Sequence, residues 1–142
     1  QKNLRTNFKR SVKRLSKKKA LLREGWFFHG TGGADPEKIC LSEHGLDMRL
    51  GNAASFYGQA IYGSEKAGYA HYRAYESGTG PFTQHQMIVF KAYKGDAKNF
   101  EHTIHRNLKR PPQIEASSSN YHSVCGGPFT PTGLNKPQEI QK

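Results

Sequence analysis

The residues best placed to do chemistry follow three consecutive aromatic residues near the start of the chain. Residues 26–28 (Trp-Phe-Phe) predict a buried strand, since aromatic side chains suit a pleated, desolvated surface. The strand leads into His29, Gly30, Thr31 and Gly32, so the His29 imidazole is held at the end of a rigid element. Gly30 leaves its N–H and C=O groups open to close approach by a ligand. This motif alone fits a binding site, and it equally fits an ordinary strand and turn.

Other catalytic patterns are weak or absent in the sequence. His102 and His105 are three residues apart with no third ligand near them, so we predict surface histidines and no metal. We predict that Cys40 is a small core residue and not a nucleophile, because nothing nearby would lower its pKa. The chain has no phosphate-binding loop of the P-loop type and no serine in a strained elbow.

Two further segments carry tyrosines that have to be positioned relative to His29. Residues 60–62 predict a short strand ending in Tyr62. Residues 65–75 predict a helix on which Tyr69, Tyr72 and Tyr75 lie near one side. These tyrosines could equally be core or rim residues of an amphipathic helix.

The surrounding elements are predicted from capping residues and apolar runs. Asp35 at the N-cap and Pro36 at the first position predict a helix that ends at Gly45, with residues 39–41 facing the core.

Three later segments follow from the same patterns. Residues 86–93 are the clearest strand and end at a Gly-Asp turn. Residues 105–120 read as an exposed loop, and residues 121–124 predict a short strand.

The composition bounds the class of protein. The 142 residues are enough for one domain with a hydrophobic core. The 2 cysteines form no disulfide framework, which predicts a reducing compartment, nuclear or cytoplasmic. No apolar run approaches the roughly 20 residues that span a bilayer, so we expect no membrane partner.

The positive charge is concentrated at the start of the chain. Residues 1–23 hold 10 of the 22 Lys and Arg residues and no acid. One helical stripe is formed by Leu4, Phe8, Val12, Leu15 and Leu22. We interpret residues 1–24 as a basic amphipathic helix that leads into a domain at 25–142. Residues 2–23 either bind nucleic acid or another anionic surface, or form a packing helix with a solvated charged face.

Six short motifs, in order, resemble the catalytic domain of the poly(ADP-ribose) polymerase family of ADP-ribosyltransferases. They are residues 26–31 (WFFHGT), 45–49 (GLDMR), 57–62 (YGQAIY), 67–70 (AGYA), 86–95 (QMIVFKAYKG), and 110–112 (RPP) with 121–126 (YHSVCG). The resemblance implies an α+β fold with two small mixed or antiparallel sheets around an NAD-binding cleft and flanking helices, whose C-terminal strands are incomplete in this chain.

The resemblance also implies the site. The catalytic residues would be His29, Tyr62 and Glu139. The NAD+-binding residues would be His29, Gly30, Thr31, Arg49, Tyr62, Ala70 and Tyr75. His29 would bind a ribose hydroxyl, Gly30 the nicotinamide amide, and Glu139 would support positive charge at the anomeric carbon. NAD+ would be a substrate: nicotinamide would leave and ADP-ribose would be transferred to a protein or nucleic-acid acceptor, without a metal.

The chain departs from the family pattern at several of these positions. Ala60 replaces a glycine, Gly63 an aromatic residue, and Ala70 a serine that often binds the nicotinamide amide. Residues 139–142 are a poor strand. An inactive relative that serves as a structural or nucleic-acid-binding module is therefore the alternative. A third hypothesis is an unrelated RNA-binding domain with aromatics exposed on one sheet face, whereas we expect most aromatics to be buried.

Overall fold

The computed structural model describes Thr6, Lys9, Arg10, Lys13 and residues 24–127. Residues 24–127 form a small α+β domain, which is the class that the sequence predicts. In chain order, its elements are β1 (Glu24–His29), α1 (Pro36–Leu41), a 3-10 helix (Met48–Leu50), α2 (Ala67–His71), β2 (Tyr75–Ser77), a second 3-10 helix (Gly80–Phe82), β3 (Gln84–Gln86), β4 (Ile88–Tyr93), β5 (Ala97–Asn99) and β6 (Ser123–Cys125).

The main packing unit is the antiparallel pair β1–β4. Phe27 lies opposite Phe90, and their ring centroids are 5.7 Å apart. Phe27 and Ile88 are buried, but Trp26 is 61% exposed. The predicted strand is confirmed, but the prediction that both of its faces are buried is wrong. The reason is that alternate side chains point to opposite faces and only the Phe27 face is covered.

The other strands form two small pairs. β2 and β3 are antiparallel, and β5 and β6 are parallel. The predicted strand at 86–93 divides at Met87, so that Gln86 belongs to β3 and the rest to β4. The short strand predicted at 121–124 is present as β6, while its partner β5 was not predicted.

Helix α1 begins as predicted, because the Asp35 side chain accepts a hydrogen bond from the Glu37 N–H at 2.9 Å. The helix ends at Leu41 and not at Gly45 as predicted. At its end, the Ser42 hydroxyl donates a hydrogen bond to the Ile39 carbonyl at 2.8 Å. The helix buries Pro36, but Cys40 is exposed and Leu41 is 71% exposed. The prediction that Cys40 and Leu41 face the core is wrong, since a six-residue helix covers the domain along one narrow side only.

Two predictions around the tyrosines are also corrected. Helix α2 has five residues and starts without a side-chain cap, and Tyr75 lies in β2 opposite Gln86. Strand pairing there takes precedence over helix continuation, in keeping with the strand preference of tyrosine. Residues 60–62 form no strand; the ladder contact to β1 is an isolated bridge between Phe28 and Ser64.

The chain ends are described only in part. Thr6, Lys9, Arg10 and Lys13 are helical and exposed. The predicted apolar stripe of the leading segment lies outside the described residues, as do residues 128–142 with Glu139. In the described part of the chain, no helix is long and apolar enough to cross a bilayer.

Candidate functional site

The site is organised around a hydrogen bond between His29, at the end of β1, and the backbone of Tyr62. The Nδ1 atom of His29 lies 2.7 Å from the Tyr62 carbonyl oxygen. A carbonyl oxygen only accepts hydrogen bonds, so we assign the proton to Nδ1. In the neutral imidazole, Nε2 is then an acceptor. Within the described residues Nε2 makes no hydrogen bond, so it is left to accept one from a ligand hydroxyl.

The Tyr62 side chain closes the loop that carries this carbonyl. Its hydroxyl accepts a hydrogen bond from the Tyr57 N–H and donates one to the Gly58 carbonyl, each at 2.8 Å. Burial raises the pKa of Tyr62 above its ordinary value of 10.0, so the phenol is neutral at pH 7. The hydroxyl is therefore committed to its own loop, which leaves the aromatic ring as the part of Tyr62 that can meet a ligand.

The same loop is fixed to the rest of the domain. Gly58 has φ +75°, and a Cβ there would lie 2.2 Å from the Leu108 carbonyl oxygen, so only glycine fits. The Tyr57 ring is buried and stacks on Phe100 with centroids 5.7 Å apart. This second packing cluster holds the loop in addition to its link with His29.

Gly30 packs against the C-terminal end of α2. A Cβ on Gly30 would lie 2.3 Å from the Arg73 carbonyl oxygen and 2.5 Å from that of Ala70. The Gly32 N–H donates to the Arg73 carbonyl at 2.8 Å. Packing alone therefore requires glycine at position 30, whether or not a ligand binds there, because only a residue without a side chain permits this approach. Within residues 24–127 its own N–H and C=O form no hydrogen bond.

Ala70 and Tyr75 are the candidate site residues on either side of Arg73 in the sequence. The Ala70 side chain is 6% exposed, and its carbonyl accepts the Arg73 N–H at 2.9 Å. Ala70 therefore offers a ligand no polar side-chain group. Tyr75 is two residues beyond Arg73 and half-buried. Its position is set by pairing with Gln86 across the β2–β3 ladder.

Thr31 and Arg49 are engaged in local structure. The Thr31 hydroxyl donates to the Ala34 carbonyl within its own turn. Arg49 donates from Nε to both carboxylate oxygens of Asp47 at 2.9 Å. The Arg49 guanidinium lowers the pKa of Asp47 from 3.8 to about 2. The Arg49 side chain is 71% exposed, so it is open to solvent while it is paired with Asp47.

Two residues of this region were missed in the sequence. Phe90 stands edge-on to His29 with ring centroids 6.5 Å apart, and it forms one wall beside the imidazole. Its strand position was predicted, but the pairing that sets it opposite Phe27 was not. Arg73 contributes through its backbone carbonyl, for which side-chain chemistry gives no signal.

Gly63 contributes by its small size, because it leaves room for the Phe90 ring. A Cβ there would lie 2.8 Å from the Phe90 ring, which explains why an aromatic residue is not accommodated after Tyr62.

The described residues show no assembled metal centre: no group of three or more His, Cys, Asp or Glu side chains is placed to hold a metal ion. A depression in the surface is lined by Ile104, His105, Arg106, Asn107 and Leu108, none of which is a predicted site residue. No protein-family model matches the chain, and no solved structure matches it either.

Proposed function

We propose that this domain binds NAD+ beside His29 and transfers ADP-ribose from it to an acceptor, with a fold of the ADP-ribosyltransferase type. One observation carries the proposal. Three separate motifs of the sequence resemblance, those at residues 26–31, 57–62 and 67–70, meet around the end of β1. His29 bonds to Tyr62, 33 residues away, and Gly30 packs on Ala70 and Arg73.

The groups left unpaired at this point suit the nicotinamide riboside part of NAD+. The free Nε2 of His29 accepts a hydrogen bond from a ribose hydroxyl, and the Gly30 N–H and C=O complement a carboxamide, which both donates and accepts. The Tyr62 ring supplies an aromatic face for the nicotinamide. Ala70 lacks the hydroxyl that would add another amide contact, so we expect weak nicotinamide binding.

The reaction breaks the bond between the ribose anomeric carbon and the nicotinamide nitrogen. The nicotinamide leaves with the bonding electron pair and becomes neutral, while the anomeric carbon acquires oxocarbenium character. The acceptor's nucleophilic atom then bonds to that carbon and gives up its proton. A carboxylate near this centre stabilises the positive charge, as in glycoside hydrolysis. The sequence resemblance assigns this role to Glu139.

Calorimetric titration with the nicotinamide mimic 3-aminobenzamide tests the pocket, and labelling with biotin-tagged NAD+ tests transfer. We expect binding at a stoichiometry of one, weakened by His29→Ala when NAD+ is the ligand. His102→Ala is the matched control, because His102 is exposed and lies on a different segment from the candidate site residues.

Separate variants distinguish binding from chemistry. We expect Glu139→Gln to retain 3-aminobenzamide binding and to slow transfer by about 10²–10³-fold, the usual cost of losing one electrostatic stabiliser. A flat calorimetric trace with folded wild-type protein would refute the proposal. Gly30→Val would not test the pocket, since a side chain there would collide with Arg73 irrespective of any ligand.

The second candidate is a non-catalytic nucleic-acid-binding module. Lys9, Arg10 and Lys13 are helical and exposed, and Trp26 presents an exposed ring with the Lys91 ammonium 5.5 Å from its centroid. Aromatic rings and cations of this kind bind single-stranded RNA. Fewer aromatics are buried than expected: Phe27 and Tyr57 are the buried ones in residues 24–127. RNA affinity that falls steeply with salt, together with no response to NAD+, would favour this candidate.

A further inference from the structure

Two histidines that are distant in the sequence meet on the surface between α2 and β3. His71 is the last residue of α2, and His85 is the middle residue of β3. Their ring centroids are 4.9 Å apart with the planes at 57°. Both side chains are exposed to solvent. The pair is therefore accessible to a dissolved ligand.

The spacing of the two rings fits a shared metal ion. A nitrogen about 2.1 Å from Zn²⁺ places its ring centroid about 3.2 Å from the metal. Two imidazoles separated by the tetrahedral angle, about 109°, then have centroids about 5.2 Å apart. The distance of 4.9 Å found between His71 and His85 is close to this value.

A carboxylate is placed to orient one of the two rings. Glu76 lies directly across the β2–β3 ladder from His85, and its Oε1 is 3.6 Å from the His85 Nδ1. Metal-binding histidines usually donate their second ring N–H to a carboxylate or carbonyl. Glu76 on the Nδ1 side would leave Nε2 of His85 for the metal.

We propose that His71 and His85 bind a divalent transition metal of the Zn²⁺, Ni²⁺ or Cu²⁺ class, with Glu76 orienting His85 and water completing the coordination. Imidazole nitrogen selects these metals over Mg²⁺ and Ca²⁺, which prefer oxygen ligands. The bound ion would join α2 to the β2–β3 hairpin. Because the Ala70 and Arg73 carbonyls beside His71 pack on Gly30, it would also stabilise that wall of the domain.

The test is calorimetric titration with ZnCl₂, in a Cys40→Ser/Cys125→Ser background because both thiols are exposed and would compete for zinc. We expect one ion bound with micromolar affinity and a rise of Tm with zinc. His71→Ala and His85→Ala should each weaken binding at least about 10-fold and abolish the Tm rise. Glu76→Gln should weaken it by about 10-fold, the usual effect of losing an orienting carboxylate.

His102→Ala is the matched control, since His102 is exposed and lies on a different segment, and it should leave zinc affinity unchanged. Circular dichroism confirms that each variant is folded. Zinc binding of unchanged affinity in the His71→Ala/His85→Ala double variant would overturn the proposal. The absence of binding to the parent protein up to about 1 mM zinc, well beyond the micromolar affinity expected, would overturn it as well.

Discussion

The phenol hydroxyl of Tyr62 offers the sharpest test of how the site is held together. Tyr62→Phe removes this one oxygen and keeps the ring. Two hydrogen bonds of 2.8 Å are lost, one from the Tyr57 N–H and one to the Gly58 carbonyl. Both backbone groups belong to a loop whose Tyr57 and Gly58 are buried, so water replaces the lost partner poorly.

The magnitude follows from the two bonds. Each intramolecular hydrogen bond contributes about 0.5–1.5 kcal/mol net, so their loss should lower the free energy of unfolding by about 2 kcal/mol. For a domain of this size, 1 kcal/mol corresponds to about 3–4 °C in Tm. Tyr62→Phe is therefore expected to melt about 7 °C below the wild type.

The assay is thermal unfolding followed by circular dichroism, with Tyr72→Phe as the matched control. Tyr72 is half-buried, and its hydroxyl makes no hydrogen bond within the described residues, so its loss should change Tm by less than about 2 °C, equivalent to about 0.5 kcal/mol. A second readout is the His29 tautomer by ¹⁵N NMR. Loosening the loop moves the Tyr62 carbonyl and should reduce the population with the proton on Nδ1.

Two results would refute this reasoning. The first is a Tm for Tyr62→Phe within about 2 °C of the Tyr72→Phe value, since two lost hydrogen bonds should cost several times more. The second is an unchanged His29 tautomer despite a destabilised loop, which would show that the Tyr62 carbonyl does not hold Nδ1.

The remaining predictions concern the core and the titrating groups. Phe27→Ala should lower the free energy of unfolding by about 3–5 kcal/mol in urea denaturation, because its ring is 8% exposed and packs on a neighbouring ring; a loss below about 1 kcal/mol would contradict the core assignment. Arg49→Gln should raise the pKa of Asp47 from about 2 toward 3.8 in an NMR carboxyl titration, because the hydrogen bonds of the guanidinium are lost. A lowered pKa adds stability above the unfolded value, so the wild type should lose this contribution as pH falls from 3.8 to about 2, and Arg49→Gln should lose less, because only the backbone N–H of residue 49 still donates to Asp47. Burial raises the pKa of Tyr57 and of Tyr62 above 10.0, so the stability they contribute is complete below pH 10 and declines as pH rises through the folded values. Ultraviolet titration of the phenols in native and urea-unfolded protein measures this, and identical curves would contradict it.

Local patterns in the sequence were sufficient for the elements that depend on local chemistry. The Asp35 cap, the Pro36 start of α1, strand β1 and most of β4 are found where propensity and capping predict them. Their causes act within a few residues, so they can be read from a short window.

The lengths of the helices and strands, and the burial of their side chains, were decided by tertiary contacts. Tyr75 lies in a strand and not in the predicted helix, because Gln86 pairs with it across the β2–β3 ladder. Cys40 is exposed because α1 is too short to bury it. Neither partner is visible within the local window. The same holds for the exposed ring of Trp26, whose environment depends on what covers the outer face of β1.

The identity of the candidate residues was a matter of sequence, and their assembly was a matter of folding. The sequence supplied an imidazole after an aromatic strand and a tyrosine after a segment rich in small residues. Only the folded chain decided that the His29 imidazole bonds to the backbone carbonyl of Tyr62. It also decided that the Tyr62 hydroxyl forms its hydrogen bonds within its own loop. Residue types are local information, whereas a hydrogen bond across 33 residues exists only once the intervening chain has packed.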